Sequence, residues 1–367
     1  MSKLTELMDY LEENIDLEHI ELSKKRTKDV ISFRESNKCA VTIGVGGHPD
    51  FSPVPIKDAC DNMELMMYNE LLQACEGTLI KDDRQPSIRT NYGVGTLASL
   101  FSVESFFMDD NTMPWVNHVS KDEILKILDK GIPDVRCGLG QRVLETYEFY
   151  AGMLAEYPNI QKGVHMYHPD IQGPLDVTHL IYGNEMYYDM YDEPDLVKNL
   201  ISLVSDTYIK FMKEIKKYIN DEEDGFCWHW GTLFPGDILL RDDTAVNLSP
   251  DMYEEFVKGF DEKVIGEFKN GASIHYCGQW QSWVDNLLST EGLRGVNFGP
   301  VPGIVYGREF FEKIYSRAKP KKIAVVNYFV NAAELVEMAE HEYFTGVYYQ
   351  TATGGLDEAK ELLNKLR

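Results

Sequence analysis

His275 and Cys277 stand two residues apart in the run Ser273-Ile274-His275-Tyr276-Cys277-Gly278. In an extended strand alternate side chains share a face, so the imidazole and the thiol point the same way. Together they are half of a zinc site, since Zn²⁺ takes mixed nitrogen and sulfur ligands. Gly278 lets the chain turn sharply after them. The plain alternative is a packed strand end, because two donors alone do not hold a metal.

Other reactive types cluster where apolar runs end. His168-Pro169-Asp170-Ile171-Gln172-Gly173-Pro174 follows Val164–Tyr167, and Arg241-Asp242-Asp243 follows Ile238–Leu240. His229 sits between Trp228 and Trp230, and Gln350–Gly355 closes the last run. Asp170, His229, Asp242, Asp243, His275 and Cys277 could therefore meet in one pocket. Each has a plainer reading: a loop-capping carboxylate for Asp170, a packed core histidine for His229, a solvated helix start for the aspartates. Trp228, Trp230, Trp280 and Trp283 could stack a flat ring, or simply fill the core.

The elements that must position these groups alternate in type. Strand-like runs fall at 39–45, 87–92, 164–167, 226–230, 272–277, 295–298, 323–326 and 345–349, with helical patterns between most of them. Ser249-Pro250 places an N-cap serine before a proline at the first helical turn. Strands and helices alternating at this pace imply parallel βα units. Their number suits a (β/α)8 TIM barrel, in which reactive groups lie at the C-terminal ends of the strands. An open doubly wound sheet competes, but no GxGxxG follows a strand. Leu4, Leu7, Met8, Leu11 and Ile15 recur at helical spacing. The expected organisation is thus an N-terminal helical cap over residues 1–85 and a barrel over 86–367, in a single domain.

Composition sets the outer bounds. The chain has 367 residues, 44% of them hydrophobic, and a net charge of -24. That charge argues against nucleic acid and anionic membrane as partners, since phosphate contacts need Lys and Arg. Six cysteines are scattered singly, without a CxxC, which suits a reduced compartment. The first residues lack a signal-peptide core, and no apolar run reaches the length of a membrane span. The expectation is a cytoplasmic enzyme, with a homodimer left open.

Several blocks in order carry a resemblance. They are Asp170-Ile171-Gln172-Gly173-Pro174 with Gly183 beyond it, Tyr191–Val197, Asp242-Asp243 with Leu248–Phe256, and Ile274-His275-Tyr276-Cys277-Gly278. From about residue 160 onward the chain resembles the uroporphyrinogen decarboxylase-like superfamily. Its His-x-Cys pair is closer to the zinc-dependent corrinoid methyltransferases than to the true decarboxylases. The resemblance implies a (β/α)8 barrel and methyl transfer between a corrinoid, free or on a partner protein, and a small thiol or methylated compound. Zinc would activate the thiol, which is otherwise mostly protonated at neutral pH. Cofactor-free decarboxylation is the alternative. The arginine-rich N-terminal motif of the decarboxylases is missing, Arg84 and Arg89 standing in a different context, and the position of their pocket tyrosine falls at or near His179.

On this resemblance Asp170 and Asp243 are the catalytic candidates. Gln172, His179, Trp230 and Tyr276 are the substrate-binding candidates. His275 and Cys277 hold the metal, with His229 as a further candidate ligand. The chain departs from the methyltransferase pattern at Thr351-Ala352-Thr353-Gly354-Gly355, where a second cysteine is usual. His229, Asp170 or Asp243 would then have to complete the metal site.

Overall fold

Most of the expected apolar runs form parallel strands. A computed structural model describes residues 2–34, 39–220, 222–223, 225–278, 281–299, 308–341 and 343–367. Trp280 lies outside them. In chain order the parallel strands are β1 (Ala40–Gly44), β2 (Ser87–Ile88), β3 (His165–Met166), β4 (Ile238–Arg241), β5 (Ala272–Cys277), β6 (Leu293–Gly299), β7 (Ala324–Phe329) and β8 (Val347–Ala352). Six of them make one sheet in the order β1-β8-β7-β6-β5-β4, and β2 pairs with β3. The whole is a mixed α/β fold around a central parallel sheet, consistent with a (β/α)8-like arrangement.

Side-chain and single backbone bonds link the short β2–β3 pair to both edges of that sheet. Toward β1, the Asp83 amide donates to Val41 O at 2.9 Å, and the carboxylates of Asp83 and Asp82 accept from the amides of Val41 and Ile43. Toward β4, the Gly173 amide donates to Arg241 O at 2.8 Å and the Leu239 amide to His168 Nε2 at 3.3 Å. Gly173 is needed there: a Cβ on it would lie 2.5 Å from Asp242 Oδ1 and 2.6 Å from Arg241 O.

Strand alternation divides the core in two. Val41, Ile43, Ile238, Leu240, Ile274, Tyr276, Val296, Phe298, Val347 and Tyr349 pack into the helix layer. Ala40, Leu239, Ala324, Val326 and Tyr348 face the other way and pack with Trp228, Leu233 and Phe234. Those three belong to an antiparallel hairpin, Phe226–His229 with Thr232–Pro235. This corrects the expectation of a barrel strand at 226–230. The run is a strand, but Trp230 (φ 46°) and Gly231 (φ 72°) turn it back at once. Positive φ at both central residues is the two-residue turn that matches strand twist. The parallel strand of this unit is the next run, β4.

Two helices, α1 (Lys3–Asn14) and α2 (Leu17–Ile31), divide the N-terminal stretch in which Leu4, Leu7, Met8, Leu11 and Ile15 recur at helical spacing. Asp16 ends that continuity by capping α2, its carboxylate accepting from the His19 amide. Strand β1 also comes from the first 85 residues and forms an edge of the main sheet. Ser249 caps Pro250–Tyr253 through the Met252 amide, as its sequence position suggested. Among the described residues, no helix is long and apolar enough to cross a membrane.

Candidate metal centre at the strand ends

Three neighbouring strands bring their last residues level. In the pairing register, His275 of β5 lies opposite Arg241 of β4 and Asn297 of β6, and Cys277 lies opposite Gly299. His275 and Cys277 share a face, as alternation requires. Cys277 Sγ lies 3.4 Å from His275 Nε2. Asp243, two residues beyond β4, places Oδ1 at 3.5 Å from the same Nε2 and accepts the Cys277 amide at 2.5 Å. The donor atoms of Asp243, His275 and Cys277 all lie within 4.8 Å of one another.

Local chemistry favours a cation among them. Burial lowers the pKa of His275 against the opposing pull of Asp243, so its ring is held neutral. Burial, then the Asp243 charge, pushes the Cys277 thiol up to about 12. A bare site therefore holds a thiol, and a bound divalent cation would reverse that preference. The facing strand leaves room. A Cβ on Gly299 would fall 2.5 Å from Cys277 Sγ, 2.6 Å from His275 Cε1 and 3.2 Å from Nε2. Nitrogen, sulfur and carboxylate oxygen are the donor types zinc takes, and three protein ligands are the number found where a fourth position serves chemistry. The residues present fit that metal.

Beside this cluster lies a second charged layer. Asp170 bridges two arginines, with Oδ2 at 3.3 Å from Arg89 Nη1 and Oδ1 at 3.1 Å from Arg241 Nε. Burial raises its pKa, but the Arg241 and Arg89 charges outweigh that and leave it below the usual carboxylate value. Gln172 donates to Asp170 Oδ1 at 2.6 Å. The Arg241 guanidinium lies over the Trp230 ring at 5.1 Å, and that ring meets His275 edge-on at 5.0 Å. Trp230 thus touches both the arginine and the candidate ligand His275.

Trp230 and Asp243 each border a cavity. A cavity of about 240 Å³ is lined by Glu70, Arg89, Tyr167 and Trp230 among others. A smaller one, about 120 Å³, is bounded by Trp115, Gln172, Asp176, His179 and Asp243. Gln172, His179 and Trp230 therefore line cavities next to the cluster. Tyr276 does not: its ring packs on Trp283 and Phe298 in the helix layer. Its sequence neighbours face the site, so alternation turns it away, which corrects its assignment as a substrate contact. His229 also stands apart from the three donors. It is fully buried and its Nε2 meets Arg241 Nη2. Burial and the Arg241 charge hold it neutral. Asp243, not His229, joins His275 and Cys277 in the cluster.

The fold is shared with a methyltransferase. A solved methyltransferase from Methanosarcina mazei matches with a TM-score of 0.63 over 94% of this chain and 97% of that one, at 15% identity. No family model and no curated protein matches the chain. At this identity the likeness speaks to architecture, and the chemistry rests on the residues themselves.

Sequence reasoning missed Glu70, Asn297 and Gly299. Glu70 comes from the helix Met63–Leu79, far from the quoted motifs, and binds the Arg89 amide at 3.2 Å and Asn91 Nδ2 at 3.0 Å. Asn297 did leave a signal, a lone amide between Val296 and Phe298 in an apolar strand. Such a buried polar group needs partners, and here they are His275 and β7.

Proposed function

We propose that this protein is a methyltransferase in which Asp243, His275 and Cys277 hold a zinc ion and a small thiol accepts or releases the methyl group, with a corrinoid as the exchange partner. The observation that carries the reading is the convergence of a neutral imidazole nitrogen, a cysteine sulfur and a carboxylate oxygen at adjacent strand ends. The shared fold with a methyltransferase supports it. We also take the eight parallel strands, with β1 of the first 85 residues among them, to close as a (β/α)8 barrel of one domain, the helices before β1 serving as its cap.

Bound zinc would supply a thiol acceptor in its thiolate form at neutral pH. The protein's own residues do the rest. His275 and Cys277 fix the position of the acceptor sulfur, because strand pairing sets their spacing. Asp243, 40% exposed in its side chain, would hold the metal from a solvent-accessible side, and the thiol proton leaves to water. The sulfur then attacks the methyl carbon: the S–C bond forms as the bond from that carbon to the corrinoid cobalt breaks, and its electron pair stays on cobalt. Asp170 keeps Arg241 beneath Trp230, whose ring packs edge-on against His275. Orientation matters here because the two reactants are separate molecules.

Decarboxylation of a polycarboxylate fits less well. It needs cations open to substrate carboxylates, and Arg89 and Arg241 are both engaged by Asp170. Elemental analysis of protein purified without chelator tests the proposal, followed by assay with methylcobalamin and a panel of thiols. One zinc per chain is expected, lost in Cys277→Ala and His275→Ala together with methyl transfer. A metal-free protein with full activity, or one that decarboxylates a porphyrinogen, would overturn it.

A further inference from the structure

The His275 ring has two nitrogens, and only one of them faces the cluster. Nε2 points to Cys277 Sγ and Asp243 Oδ1. Nδ1 lies 2.5 Å from Asn297 Oδ1. A neutral imidazole carries one proton, so its placement decides whether Nε2 offers a lone pair or an N–H to the three-donor space.

The orientation of the Asn297 amide settles that placement. Its nitrogen lies 2.6 Å from Val326 O and 3.3 Å from Asn327 O. Carbonyl oxygens only accept, so the end of the amide facing them must be the NH₂. The other end, Oδ1, therefore faces His275 and can only accept. The proton must sit on Nδ1, which leaves Nε2 unprotonated.

Strand β7 is shaped to present those two carbonyls. Val325 pairs with Val347 and Tyr328 with Tyr349, so β7 carries one more residue than β8 between these pairs. That is a β-bulge, a feature that re-aims groups beside functional sites. Asn327 within it has φ 54°, a left-handed conformation that asparagine tolerates better than most residues. Asn297 and Asn327 are both buried, so the arrangement is closed to competing water.

We propose that Asn297 is a positioning residue that sets the His275 tautomer, its own orientation fixed by the bulge in β7. Its purpose rests on the metal reading above, but the tautomer itself does not. Fixing the outer nitrogen of a ligating histidine is worth about 10- to 100-fold in metal affinity.

The test labels histidine with ¹⁵N and records long-range ¹H–¹⁵N spectra of metal-free protein, assigning His275 by its loss in His275→Gln. The Nδ1–H form is expected in the native protein. In Asn297→Leu, which is similar in size but cannot accept, the Nε2–H form should appear, and the zinc dissociation constant from chelator competition should rise about 10- to 100-fold. An Nε2–H tautomer in the native protein would overturn the inference even if the variant did not fold. So would an Asn297→Leu protein that keeps the Nδ1–H form. A native Nδ1–H form lost in the variant, in a protein that binds no zinc, would uphold the positioning role and remove the proposed function.

Discussion

Replacing Gly299 with alanine perturbs the candidate metal site by one methyl group. The backbone of Gly299 lies outside the left-handed region that resists side chains, so the effect is steric. The added Cβ would begin 2.5 Å from Cys277 Sγ and 2.6 Å from His275 Cε1, where ordinary contact starts at about 3.4 Å. Either β6 retreats or the two side chains do. β6 pairs with β5 right up to Gly299, so the side chains are the softer element. Pushing Cys277 off its rotamer costs about 0.5–1.5 kcal/mol, and overpacking as a whole about 1–3 kcal/mol. Metal–ligand distances tolerate only about 0.2 Å of error, so affinity should suffer more than folding. We expect the zinc dissociation constant to rise at least about 100-fold, or about 2.8 kcal/mol, measured by chelator competition. Gly44→Ala is the control: its Cβ would meet Ala352 Cβ at 3.7 Å and Thr351 O at 3.8 Å, ordinary contacts on β1. Native zinc affinity in Gly299→Ala would refute the placement of the metal between Cys277 and His275.

Two further outcomes follow from the charges around the site. Asp170→Asn leaves Arg89 and Arg241 without their shared counter-charge, and removing one partner of a buried ion pair costs about 3–5 kcal/mol; chemical denaturation should show a loss of that order, and an unchanged midpoint would mean the bridge contributes little. Burial raises Asp261 to about 7, and Asp242 beside it well above the usual range. A carboxyl with a raised folded pKa binds its proton more tightly in the folded state, so stability is fully present below the unfolded value near 4 and is lost as pH rises through about 7. The slope is about 1.4 kcal/mol per pH unit for one proton. Asp261→Asn should flatten that decline between about pH 4 and 7, as read from denaturation midpoints, and an equally steep decline in the variant would place the titrating group elsewhere.

The order of elements was legible in the chain because strand and helix periods are local. The run Ala272–Cys277 was read with the bounds it has in the structure, since its alternation is uninterrupted. The co-facing of His275 and Cys277 follows from the same period. So, in principle, does the turning away of Tyr276, although its place between them suggested a site role. The run 226–230 reads as a parallel strand, whereas it is one arm of the hairpin Phe226–Pro235, because an isolated strand looks the same whichever partner it takes. Only the positive φ of Trp230 and Gly231 distinguishes it, and a tryptophan gives little warning of that.

The residue types that could bind a soft cation, and the strands that carry them, were written in the sequence. Which third donor joins them was not: His229, Asp170 and Asp243 were equal candidates by type, and three-dimensional distance selected Asp243. The same holds for Arg241, which Asp170 and His229 claim only after β3 and β4 come together. Cross-strand register placed Asn297 opposite His275 and Gly299 opposite Cys277, joining residues 22 positions apart. Local periodicity determines which way a side chain faces along its own strand. What stands across from it depends on how neighbouring strands slide into register, and that is decided only when the whole core packs.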